Sequence, residues 1–127
     1  MKYNNIKFIV ISACLATFAT TVLADDRTRM TAAQGRFVAC INRYIALAKA
    51  RRAPPERAWL LIRGACPREE GDFRTASVSF LAPEELIREF APETLASRTA
   101  YAEKEASAAI IKIKEVAVSA YTSWFLK

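Results

Sequence analysis

The chain contains no histidine. That absence removes the commonest general base, the usual partner of serine and cysteine nucleophiles, and the most frequent protein ligand for zinc and other transition metals. Cysteine is nearly absent as well. Of three in 127 residues, only Cys40 and Cys66 lie beyond the N-terminal apolar segment. After residue 24 no charge-free apolar run reaches the ~20 residues that a membrane span needs. There is no internal repeat and no low-complexity tract, and 103 residues past that segment suit one domain.

The first two dozen residues have the three-part form of a secretory signal. Lys2 and Lys7 give a positive start, an apolar run extends from Phe8 to Leu23, and Val22-Leu23-Ala24 precedes Asp25-Asp26. The expected division is a cleaved signal over 1–24 and a single helical domain over 25–127. Ile11-Ser12-Ala13-Cys14 also resembles a lipobox, which would make Cys14 a lipidated N-terminus. The apolar stretch before Cys14 is short for that, and the run continues past it. Export, most simply to the periplasm of a Gram-negative bacterium, then changes what the cysteines mean. In an oxidising compartment two thiols are normally a bridge rather than a metal or redox pair.

Helical signals cover the rest. Thr31-Ala32-Ala33-Gln34 has the capping-box pattern, and Phe37, Cys40, Ile41, Tyr44, Ile45 and Ala48 recur at helical spacing, predicting a helix from Thr31 to Arg52. Ala53 precedes a proline, which disfavours helical backbone, and Pro55 can open a second helix through Cys66. Its inward face is read as Trp59, Ile62 and Cys66. Cys40 and Cys66 then stand roughly 16–18 Å from the Ala53-Pro54-Pro55 turn at the usual helical rise, so a hairpin brings them level for a disulfide. Closing that loop contributes about 3–3.5 kcal/mol in the chain-entropy model.

Beyond Pro67, Glu69, Glu70 and Asp72 suit a helix start, and Phe73, Ala76, Phe80 and Leu81 give a helical stripe. The alternation from Thr75 to Phe80 leaves a strand as the other reading. Pro83-Glu84-Glu85 opens a short helix through Phe90, and Pro92-Glu93 opens a long last one to Lys127, free of glycine and proline. Its expected seam is Leu95, Thr99, Ala102, Ala106, Ala109, Ile113, Val116 and Ala120, with a strand alternative near Ile110–Lys114. The fold class expected is therefore all-α: a disulfide-linked antiparallel helical hairpin packed with short helices and a long C-terminal helix.

The chemistry left by these absences is carboxylate, lysine and serine chemistry. Glu69-Glu70-Gly71-Asp72 is the best cluster, since paired carboxylates cleave glycosidic bonds or hold calcium, but calcium-loop spacing is missing and the same acids recur at other helix starts. No catalytic residue, metal or cofactor is assigned.

Charge is more informative. Residues 25–68 carry ten basic side chains against three acids, whereas 69–127 carry seven against ten. Arg36, Arg43, Arg51, Arg52, Arg57 and Arg63 are the candidate anion-binding residues, because guanidinium grips phosphate and carboxylate bidentately. The competing reading is a solvated face neutralised by the acidic half. Tyr121, Trp124 and Phe125, with Lys112, Lys114 and Lys127, are a second candidate, for a membrane interface or a partner's groove, against the plain alternative of core packing. The functional expectation is a small exported protein with a non-enzymatic binding role toward another protein or an envelope component, its partner not identified. The alternative is electrostatic binding to an anionic envelope component (lipid or lipopolysaccharide), with peripheral membrane contact and no nucleic acid. A carboxylate enzyme ranks third.

Overall fold

Helix α1 (Lys2–Arg51) ends in a reciprocal pair of turn hydrogen bonds. The Ala53 N–H donates to the Ala48 carbonyl at 3.0 Å and the Arg52 N–H to the Lys49 carbonyl at 3.1 Å, with Arg52 left-handed at φ 46°. This arrangement satisfies carbonyls that the last turn leaves open, and its left-handed site usually holds glycine. Pro54 and Pro55 have no N–H with which to prolong the helix, and Pro55 opens α2 (Pro55–Arg63) where a missing donor is harmless. The remaining helices are α3 (Pro67–Leu81), α4 (Glu84–Phe90) and α5 (Leu95–Phe125). The computed structural model describes residues 2–90 and 94–127, and side chains over 25–89 and 94–127; among the described residues there is no strand. The signal and lipobox side chains and the Pro92-Glu93 helix start lie outside the described residues.

Packing partners give the topology. Ala58 clusters with Ala48, while Ile62, Ala65 and Cys66 join Phe37, Cys40 and Ile41, so forward motion along α2 is backward motion along α1. Helix α3 continues in that sense, with the Phe73 ring stacked on Phe37 at 6.0 Å. Helix α5 then returns alongside. Arg74 Nη1 donates to Ser107 Oγ at 2.6 Å, Lys114 lies against Arg63 and Glu70, and the buried Tyr121 hydroxyl lies 2.5 Å from the Ala53 carbonyl and 3.2 Å from that of Ala48. The result is three rods, α1 and α5 parallel, with an antiparallel middle rod broken into α2 and α3.

The Cys40–Cys66 disulfide sits at that break, its Cα atoms 6.1 Å apart, within the range a bridge requires. Cys66 is itself left-handed at φ 61° and directly precedes Pro67 at the first position of α3. A left-handed non-glycine residue costs about 1–2 kcal/mol, here held by the bridge and by the Glu70 N–H donating to the Cys66 carbonyl at 2.8 Å.

Four local expectations are corrected. Thr31 does not cap: α1 runs through it, and its hydroxyl donates to the Arg27 carbonyl at 2.9 Å one turn back. Nothing between Asp25 and Met30 breaks a helix, and Asp25 and Arg29 form an i,i+4 ion pair there, so a capping sequence has no helix end to act on. Helix α2 stops at Arg63 rather than Cys66, with Gly64 at its C-cap, and Ala58 rather than Trp59 faces α1, because the turn and Pro55 set the helix in a phase that buries Ala58 and Ile62. On α5 the buried stripe is Ala102, Ala106, Ile110, Lys114 and Tyr121, whereas Val116 and Ala120 are exposed. Residues spaced by four precess slowly round the helix, and the expected seam took the adjacent row from Ala109 onward. The strand alternatives for 75–80 and 110–114 are both helix.

Since Arg52 occupies a position that glycine adopts without penalty, Arg52→Gly is expected to stabilise the protein by about 0.5–1 kcal/mol, read as a raised urea midpoint at unchanged slope. A lowered midpoint would show that the arginine side chain contributes more there than its backbone costs.

Candidate anion-binding face and buried ion pair

Arg36 and Arg43 are seven residues apart on α1, nearly two turns, and so share one face about 10 Å apart along the axis. Arg51 and Arg52 close the helix, and Arg57 and Arg63 follow on α2 beyond the Pro54-Pro55 turn. All six side chains are exposed. Among the described residues the ion pairs are Arg29–Asp25, Arg88–Glu84 and Lys114–Glu70, so none of the six has a carboxylate partner, and no ion pair joins the basic half to the acidic half. The fold thus leaves all six arginines exposed and without a carboxylate partner among the described residues. Leu60, 66% exposed, and the partly exposed Trp59 stand between Arg57 and Arg63 on α2.

The C-terminal aromatic group is arranged differently from a free surface. Tyr121 is 1% exposed and packs with Ala48 and Ala58; Phe125 is half-buried against the same cluster. Trp124 lies 5.6 Å from the Tyr121 ring, and Lys49 from α1 sits over it at 5.3 Å from the ring centroid, a cation–π contact. Tyr121 therefore works inward, docking the end of α5 on the Ala48 carbonyl in the last turn of α1 and the Ala53 carbonyl of the turn that follows, while Trp124 keeps one partly open face.

Lys114 is the residue whose role the sequence concealed. Grouped by type with Lys112 and Lys127, it reads as a solvent-facing charge, but its side chain points inward and the residue is 8% exposed. Its Nζ donates to the Arg63 carbonyl at 2.8 Å and to Glu70 Oε1 at 2.6 Å. The first acceptor belongs to the last turn of α2 and the second to the first turn of α3, the ends that favour a cation and an anion respectively. One ammonium thereby ties α5 to both sides of the break in the middle rod. The available signal was spacing: 102, 106, 110 and 114 fall on one helix face, and the fourth member of an otherwise apolar row is a lysine.

The acidic cluster is dispersed by the helix. Glu70 turns to Lys114, Asp72 is exposed, and the Glu69 carboxylate lies with the two bridged sulfurs, the three ligand atoms within 4.8 Å of one another. Both sulfurs are used in the disulfide, so that group offers no thiolate ligand. Two shallow clefts along α5 are lined by Trp59, Lys112, Glu115, Ser119 and their neighbours, and by none of these three carboxylates.

Lys114→Met is expected to destabilise the protein by about 1–3 kcal/mol, because it leaves the Arg63 carbonyl and Glu70 without their charged donor. Arg88→Gln, which removes an exposed pair, should cost less than about 0.5 kcal/mol. Equal costs in urea unfolding would contradict the bridging role of Lys114. Comparison with known proteins assigns no role to these residues: the chain matches no family model, no curated protein and no solved structure.

Proposed function

We propose that the protein is exported to the periplasm of a Gram-negative bacterium and acts there by binding rather than catalysis, its arginine face engaging anionic groups of an envelope component. The observation that carries this reading is the set of six exposed arginines, Arg36, Arg43, Arg51, Arg52, Arg57 and Arg63, none paired with a carboxylate among the described residues. Left unpaired, they hold their full capacity for bidentate contacts with phosphate or carboxylate. Among the described residues no ion pair joins the two halves, so direct pairing with the acidic half does not occupy these arginines.

Two further features agree. A buried disulfide fits an oxidising compartment. Among the described residues no helix is long and apolar enough to cross a membrane, so contact with a lipid surface would be peripheral. Exposed Leu60 and Trp59 beside Arg57 and Arg63 suit an amphiphile, with headgroups on the guanidinium groups and apolar contact between them. A protein partner with an acidic, partly apolar face satisfies the same chemistry and is the second reading.

Sedimentation with vesicles containing an anionic phospholipid tests the proposal. Binding should exceed that to neutral vesicles and weaken as ionic strength rises from about 0.05 to 0.5 M. The triple variant Arg51→Glu, Arg57→Glu, Arg63→Glu, which leaves the left-handed Arg52 in place, should lose at least about a hundredfold in affinity, at roughly 1 kcal/mol for each basic charge removed. Equal sedimentation of the variant, or binding indifferent to salt, would refute the reading; binding to an acidic envelope protein but not to vesicles would favour the second.

A further inference from the structure

The outward face of α5 carries a charge pattern that its own chain does not use. Opposite the buried row, Tyr101, Ala108, Lys112, Glu115, Ser119 and Leu126 follow at spacings of seven, four, three, four and seven, the repeat of a helix that packs lengthwise on another helix. All six are exposed, Tyr101 by 54% and Leu126 by 77%, and neither Lys112 nor Glu115 has an ion-pair partner among the described residues. A shallow groove runs along this row from Lys112 to Ser123, kept open by the small side chains Ser119, Ala120 and Ser123.

We infer that this face is a dimer interface, its occupant the α5 helix of a second copy laid antiparallel across it. The argument is self-complementarity. A two-fold axis makes each contact occur twice, residue i against j and j against i. With the axis between Ile113 and Lys114, Lys112 meets Glu115 of the second copy and Glu115 meets its Lys112. Ala108 then meets Ser119, two small side chains that let the helices approach, and Tyr101 meets Leu126, an aromatic on an aliphatic at each end. Each of these six positions finds a partner matched in charge or size, while Glu105, on the same row, faces the partly buried Thr122.

Orientation and register follow from the same charges. A parallel pair would set Lys112 against Lys112 and Glu115 against Glu115. Sliding the antiparallel pair by one heptad sets Glu105 against Glu115 in one direction and leaves Lys112 facing Thr122 in the other. Of these arrangements the one centred between Ile113 and Lys114 alone pairs opposite charges, and it is also the one that uses both exposed apolar ends. The contact lies on α5, bordered by Trp59 of α2 beside Glu115 and Ser119, and the dimer would carry two copies of the arginine-bearing hairpin.

Sedimentation equilibrium on the oxidised full-length chain tests this. The wild-type protein should form a dimer, and Lys112→Glu or Glu115→Lys alone should each raise the dissociation constant by about tenfold or more, since each places like charges in contact at two sites. An equimolar mixture of the two variants should restore association as a heterodimer, and the double variant K112E/E115K should restore the homodimer. Both substitutions lie on an exposed surface, and rescue by mixing requires both variants to be folded. A wild-type chain that stays monomeric over the accessible concentration range, single variants that associate like wild type, or a mixture that fails to recover would overturn the inference.

Discussion

The Cys40–Cys66 bridge fixes the relation on which the rest of the structure depends. It joins α1 to the point where the middle rod is broken, so a single covalent link sets the height of both α2 and α3 against α1. Without it, the three residues Gly64, Ala65 and Cys66 would be a hinge between two short helices, nine and fifteen residues long, neither stable alone in water. The left-handed backbone at Arg52 and Cys66 brackets α2 at both ends. The first stands where the chain reverses after α1, and the second at the break where α2 gives way to α3 running in the same sense.

Around this link the long helix α5 works as a splint. It contacts the bracketed segment at three heights: Arg74 with Ser107, Lys114 with Arg63 and Glu70, and Tyr121 with the terminal carbonyls of α1. Each uses a polar side chain to satisfy backbone or charged groups at a helix end or between helices, where apolar packing alone would leave hydrogen-bonding capacity unmet. The consequence for function is a division of surfaces. Glu70 and Glu84 are committed to Lys114 and Arg88, and the six arginines of the hairpin are exposed without a carboxylate partner among the described residues. The physical chemistry of the fold and the electrostatics of the proposed binding face are therefore one arrangement.

Much of this was legible in the residues. Proline alone marked the start of α2, proline with acids marked the start of α3 and the approach to α4, the apolar period of 37–48 marked the inner face of α1, and arm lengths counted from the Pro54-Pro55 turn placed the two cysteines level. What could not be read was set by tertiary context. A capping box states a preference for a helix start but acts only where the chain enters a helix, and Thr31 lies in the middle of one. The end of α1 was legible to within a residue from Ala53 before Pro54, but not the left-handed arginine that closes it. Trp59 outranks Ala58 in hydrophobic area, yet the phase fixed at Pro55 turns Ala58 inward. Lys114 shows the same limit for charge: a lysine type says solvent, and only the Arg63 carbonyl and Glu70 carboxylate waiting across the break make burial favourable. For the candidate site, the identity of the arginines was plain from composition; their freedom from carboxylate partners required the fold.

The claim that the bridge fixes the fold has a direct measurement. Urea unfolding of the oxidised protein is compared with the Cys40→Ala, Cys66→Ala double variant, both followed by helical circular dichroism. The loop has a sequence separation of 26, for which chain entropy gives a loss of about 3.5 kcal/mol on removing the link, a large part of the stability of a domain this size. A loss near that figure, with the variant's midpoint lowered accordingly, is the predicted result. A loss below about 1 kcal/mol would mean that α5 holds the broken rod in register without the bridge, and would contradict the account.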